Sequence, residues 1–130
     1  MTKVVVAYLD GRRVKGYVND FSALKESFNL IPQEDPLHEK GTPVEMSNLK
    51  AVFFVKDFMG NSEYHEDPFA DSPAHGRKIE VTFRDGEKML GKTEGYNPQK
   101  LGFFMIPGDV KSNNERIFVI NKNAQQVRFA

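Results

Sequence analysis

Apolar and polar positions follow one another in short alternating runs, with no stretch that keeps a helical period. Residues 3–9 (KVVVAYL) are rich in β-branched and aromatic side chains, and Asp10-Gly11 then supplies the positive-φ pair that a two-residue hairpin turn needs. The pattern predicts a strand, a tight turn and a return strand from Arg12 to about Asn19. Gly16 in mid-strand marks a sharp bend or a close backbone approach. A loop over 21–27 leads to a third strand at 28–31, stopped by Pro32. A polar connection over 33–42 precedes two short strands, 44–46 and 50–55, with a turn at Ser47-Asn48.

Between Lys56 and Arg77 the regularity is lost: Gly60, Pro68, Pro73 and Gly76 alternate with the acids Glu63, Glu66, Asp67 and Asp71. Beyond this linker the opening pattern returns. Shifted by 75 positions, residues 3–34 align without a gap on 78–109, matching the turn (Asp10-Gly11 with Asp85-Gly86), the bend (Gly16 with Gly91) and the stop (Pro32 with Pro107). Val52 and Phe54 match Val127 and Phe129 at the same shift, and 44–48 is matched on apolar pattern to 117–121. The expectation is an all-β protein with little helix: two tandem five-stranded small barrel repeats packed together, over 1–56 and 77–130, joined by an acidic linker over 57–76.

The two copies separate core from surface. Val4, Val6, Tyr8, Val52 and Phe54 are apolar in both, as interior positions of a barrel strand should be. The intervening positions are Glu80, Thr82, Arg84, Gln126 and Arg128 in the second copy, but Val5, Ala7, Leu9, Ala51, Phe53 and Val55 occupy this face of the first. Those six form an apolar patch that a soluble chain seldom leaves open, so they are the candidate protein interface, against the second copy, the linker or another chain. Leu90 and Phe104 stand in the second copy where the first has Lys15 and Asn29.

Charge narrows the function classes. With 18 basic and 18 acidic residues there is no overall field favouring nucleic acid, and with no cysteine there is no disulfide framework, thiol nucleophile or thiolate metal site. The apolar runs are too short to span a bilayer and no signal-like segment opens the chain, so a cytoplasmic protein without membrane contact is expected. His38, His65 and His75 lie in or beside loops with acids near them, but their spacing matches no compact ligand motif, and neither metal nor cofactor is expected. No nucleophile elbow or phosphate-binding glycine loop occurs, so a non-enzymatic binding or assembly module is the leading reading. Two local groups stay open: Arg12, Arg13, Lys15 and Tyr17 for phosphate contact and base stacking, and Ser112, Asn113, Asn114 and Arg116 in the polar 107–116 loop for a small ligand or an enzymatic site.

The order of strand, Asp-Gly turn, mid-strand glycine, aromatic loop and F-x-L/M-I resembles the Sm-like group of SH3-type barrels, through Asp10, Gly11, Gly16, Phe21 and Leu30 and their counterparts. That resemblance implies small-barrel units, assembly with protein partners and RNA binding. The Sm RNA site places an Asn a few residues after the aromatic of the strand 2–3 loop and an Arg-Gly between strands 4 and 5. Here Asn29 is too far from Phe21, and Ser47-Asn48 and Asn121-Lys122 stand where Arg-Gly would be. Over nearly its whole length, through KVVVAYLDGR, LKAVFFVKDF (49–58), GRK (76–78) and SNNERIFV (112–119), the chain also resembles a family of uncharacterised bacterial proteins. The bacterial PilZ barrels bind a cyclic dinucleotide through R-x-x-x-R and [DN]-x-S-x-x-G, and neither motif occurs here.

Overall fold

The computed structural model describes residues 2–34, 41–60, 64–67 and 70–129. Ten strands follow in chain order: β1 (Thr2–Tyr8), β2 (Arg13–Val18), β3 (Ser27–Pro32), β4 (Thr42–Glu45), β5 (Leu49–Val55), β6 (Arg77–Phe83), β7 (Lys88–Thr93), β8 (Gly102–Pro107), β9 (Asn114–Ile120) and β10 (Ala124–Phe129). The only helical elements among the described residues are two short 3-10 turns, Met46–Asn48 and Asn121–Asn123. No helix is long and apolar enough to cross a membrane.

All ten strands belong to one antiparallel sheet in the order β10-β6-β7-β8-β9-β5-β1-β2-β3-β4. The sheet is open, so separate closed barrels are not what the hydrogen bonding forms. Every rung within the first five strands recurs 75 positions later within the second five. Val4 opposite Phe54 becomes Ile79 opposite Phe129, Gly16 opposite Pro32 becomes Gly91 opposite Pro107, and Phe28 opposite Val44 becomes Phe103 opposite Val119. The pairing of 44–48 with 117–121 read from the sequence is therefore two residues out of register: Val44 answers to Val119, and the turn at 46–48 to that at 121–123. Apolar pattern misled there because β9 is buried along four successive residues and β4 is not.

The junction between the halves is the β9·β5 pair. β5 is buried at all seven positions, so its run LKAVFFV serves two cores. Leu49, Val52 and Phe54 point into a first core with Val4, Val6, Phe28, Leu30 and Met46, joined from β9 by Phe118 and Ile120. Ala51, Phe53 and Val55 point into a second, with Ile79, Val81, Phe83, Phe103 and Met105, joined by Ile117 and Val119. Phe21 closes the first core edge-on to Phe28, Phe54 and Phe118.

The outer edges lack these apolar runs. β4 presents Thr42, Pro43 and Glu45, and β10 presents Gln125, Gln126 and Arg128. The Asn29 N–H donates to Asp20 Oδ1 (3.2 Å), so the Asn29–Pro43 rung carries no ladder hydrogen bond and the donor-less Pro43 nitrogen faces outward. Such edges resist adding a further strand.

Candidate functional site

The six apolar face residues are divided by the fold. Ala7, Ala51, Phe53 and Val55 are buried in the second core and Val5 packs against it, whereas Leu9 is 45% exposed beyond the end of β1. Arg13, Lys15 and Tyr17 alternate along one side of β2, with Lys3 directly opposite Tyr17. Arg12 lies off that row, its Nε donating to Asp10 Oδ2 (2.8 Å) and its guanidinium 4.3 Å from the Tyr8 ring centroid. Its backbone and side-chain hydrogen bonds hold the Asp10 carboxyl below its ordinary range. Arg13 comes within 3.9 Å of Glu87 and lies over the Phe53 ring.

The polar 107–116 loop turns Asp109 and Ser112 inward and leaves Val110, Lys111, Glu115 and Arg116 exposed. Ser112 is buried and its Oγ accepts the Asn114 N–H (3.0 Å). Asn113 accepts the Asp57 N–H (3.1 Å) and donates to the Asp57 carbonyl (2.8 Å), fastening the segment after β5. The Arg116 guanidinium lies 4.4 and 4.5 Å from the ring centroids of Phe54 and Phe104. Of the histidine and acid group, His38 and Glu63 lie outside the described residues, and among those described no three His, Cys, Asp or Glu side chains gather as metal ligands.

Two polar latches hold the halves and the linker. Lys50, buried in β5, sends its ammonium across to the β6–β7 hairpin, donating to Asp85 Oδ2 (2.7 Å) and Glu87 Oε1 (2.5 Å) above the Phe83 ring. That bond, and one from the Glu87 N–H, hold the Asp85 carboxyl below its ordinary range. Asp109, buried at the end of β8, accepts the Tyr64 hydroxyl and the N–H groups of Asp67 (3.0 Å) and Lys111 (2.9 Å), which lower its pKa. The same contact pushes the Tyr64 phenol up to about 12.

Further along the linker, residues 70–72 wall a groove of about 430 Å³ over β6, β7 and β10. Leu90 gives the groove its exposed apolar surface, while Ile79 and Phe129 are turned to the second core; Lys78, Lys92 and Arg128 line it with charge. Lys78 and Lys92 are direct cross-strand partners, an arrangement of like charge that is unfavourable unless an anion lies between them. Asp71 supplies one, at 2.9 Å from Lys92 and 3.5 Å from Lys78. The Lys92 bond is the main reason the Asp71 carboxyl stays below its ordinary range. Only 16% of the Lys92 side chain is exposed, and its ammonium also donates to the Ser72 carbonyl (2.7 Å).

On the matching rung of the first half, Lys3 opposite Tyr17, the same face is filled from within. Phe58, buried just after β5, sits edge-on to Tyr17 (centroids 5.2 Å apart) and 5.9 Å below the Lys3 ammonium.

A family model described as a family of unknown function, DUF6982, matches residues 1–130. The chain belongs to this family. No curated protein and no solved structure matches it. Within this family member, the groove residues were missed in sequence because each looks ordinary alone. The available signal was the exchange of Tyr17 for Lys92 and of Lys15 for Leu90 between otherwise matching strands.

Proposed function

We propose that this chain is a non-enzymatic binding module of two small-barrel-like units, 1–56 and 77–130, whose binding face is the groove over β6, β7 and β10. One observation carries the reading: the face that the first half fills with Phe58 is, in the second half, a cation-lined groove of a size suited to a ligand. In the 107–116 loop Ser112 and Asn113 are tied to the chain's own backbone, and Ala7, Ala51, Phe53 and Val55 of the apolar patch lie in the molecule's own core.

Site-directed photocrosslinking tests it. A benzophenone side chain at Leu90, which lines the groove, is expected to give a discrete adduct in cells, and the same group at Leu24, exposed in the 21–24 loop, to give none. Identical adducts from both positions would remove the reading.

A second reading rests on the row Arg13, Lys15 and Tyr17 with Lys3 beside it, which offers phosphate contacts next to an aromatic ring. It requires a salt-dependent gel shift with single-stranded RNA that Arg13→Glu with Lys15→Glu abolishes. Absence of any shift at low salt rejects it.

A further inference from the structure

Resting on the groove reading, we propose that the occupant is an acidic segment of a partner protein that seats one aromatic side chain. The molecule holds its own template. On the first half, the segment that leaves β5 lays Phe58 against Tyr17 and under Lys3, and Asp57 precedes it. The second half keeps the same backbone rung, with Lys78 and Lys92 in those two places and the part-exposed apolar side chain of Leu90 beside them.

Charge sets the flanking residues. The strand side of this face carries Lys78, Lys88, Lys92 and Arg128 against Glu80 alone, since Lys78, Glu80 and Thr82 alternate on β6 with Lys92, Leu90 and Lys88 opposite and Arg128 opposite Glu80 on the other flank. Asp71 already shows the chemistry accepted there: a carboxylate delivered from outside the sheet onto two lysines. It therefore competes with the partner's acid. Lys78 is the looser of its two contacts, with more than half its side chain exposed, and Arg128 has its guanidinium on the same rim.

Fluorescence anisotropy of the full chain with a fluorescein-labelled peptide, one phenylalanine flanked on both sides by Asp and Glu, tests this. Saturable binding is expected, weakened about ten-fold when the phenylalanine is replaced by alanine, as for an anchor side chain leaving its pocket. A peptide with lysines in place of the acids should not bind. Lys78→Met and Arg128→Ala, both at exposed positions, should each weaken binding while melting as wild type, and Asp71→Asn should strengthen it by freeing the lysines. Equal binding of the alanine peptide, or of a single-stranded RNA of the same charge, overturns the proposal, as does indifference to both Lys78→Met and Arg128→Ala. If no acidic aromatic peptide binds and the Leu90 crosslink is still discrete, the ligand class is wrong and the groove reading stands. If both fail, both fall.

Discussion

At the scale of single residues, Lys50 shows a buried charge whose value depends on its partners. Its ammonium lies over the Phe83 ring and, among the described residues, pairs with Asp85 and Glu87. Methionine keeps the stem and removes the charge to be desolvated, so Lys50→Met should melt close to wild type, whereas Lys50→Glu sets a third carboxylate against two and should unfold the chain. Because the Asp85 pKa is depressed in the fold, its contribution is complete above its ordinary value of 3.8 and is lost as pH falls through the folded value. Acid denaturation of Lys50→Met should therefore lack part of the wild-type slope below about pH 4.

Tyr64 and Asp109 have opposite signs in one contact. The phenol, raised to about 12, contributes until pH climbs past its ordinary value of 10, and the lowered carboxyl contributes until pH drops below 3.8. Asp109→Asn removes the facing charge. The Tyr64 ring signals should then titrate near 10, and amide exchange over 64–67 should quicken at neutral pH. Unchanged titration would contradict the pinning described for the linker. Nothing in the sequence separates Asp109 from other loop acids; its role depends on a residue 45 positions away.

At the scale of elements, the glycines were legible because their constraint is local. Gly11 and Gly86 have φ of +96° and +91°, but Asp10 and Asp85 do not share that positive φ. The expected two-residue turn is instead a wider one, closed by the Gly11 N–H on the Tyr8 carbonyl (3.1 Å) and the Gly86 N–H on the Phe83 carbonyl (2.9 Å). A Cβ on either glycine would meet nothing within 4 Å. Gly86→Ala should cost only the left-handed strain, about 1–2 kcal/mol. Gly91 differs. A Cβ there would lie 2.1 Å from the Ile106 carbonyl oxygen, and backbone cannot step aside as a side-chain tip can. Gly91→Ala should lower the melting temperature well beyond Gly86→Ala, and equal effects would contradict the close approach of β7 to β8. The strands of the first hairpin were readable from β-branched and aromatic content and from the Asp-Gly turn between them. The match of β4 to β9 was not, because an offset of two residues keeps the inward–outward parity of a strand and β9, buried over four successive residues, offers apolar matches at either offset.

For the whole molecule, the apolar excess of β1 and β5 is divided by the fold, with Ala7, Ala51, Phe53 and Val55 inside the second core and Leu9 left 45% exposed, and the sheet order explains that burial. Strand β9 of the second half adds to β5, so each half lends side chains to the other's core. Phe53 and Phe54 are neighbours that enter different cores. Replacing either with alanine should cost about 3–5 kcal/mol. Both should shift one and the same unfolding transition, seen alike by aromatic and backbone circular dichroism. Two separated transitions would mean that the halves fold independently. The sequence could not reveal which edges meet, since pairing between halves is decided by packing far along the chain.

The same duplication lends meaning to the groove, because the first half supplies an internal example of that face when filled. Amide chemical-shift mapping of the full chain against the acidic phenylalanine peptide tests this most directly. The account predicts saturating shifts confined to β6, β7, β10 and linker residues 70–72, with β1 and β2 unmoved. Shifts centred on Arg13, Lys15 and Tyr17, or none at all, would contradict it.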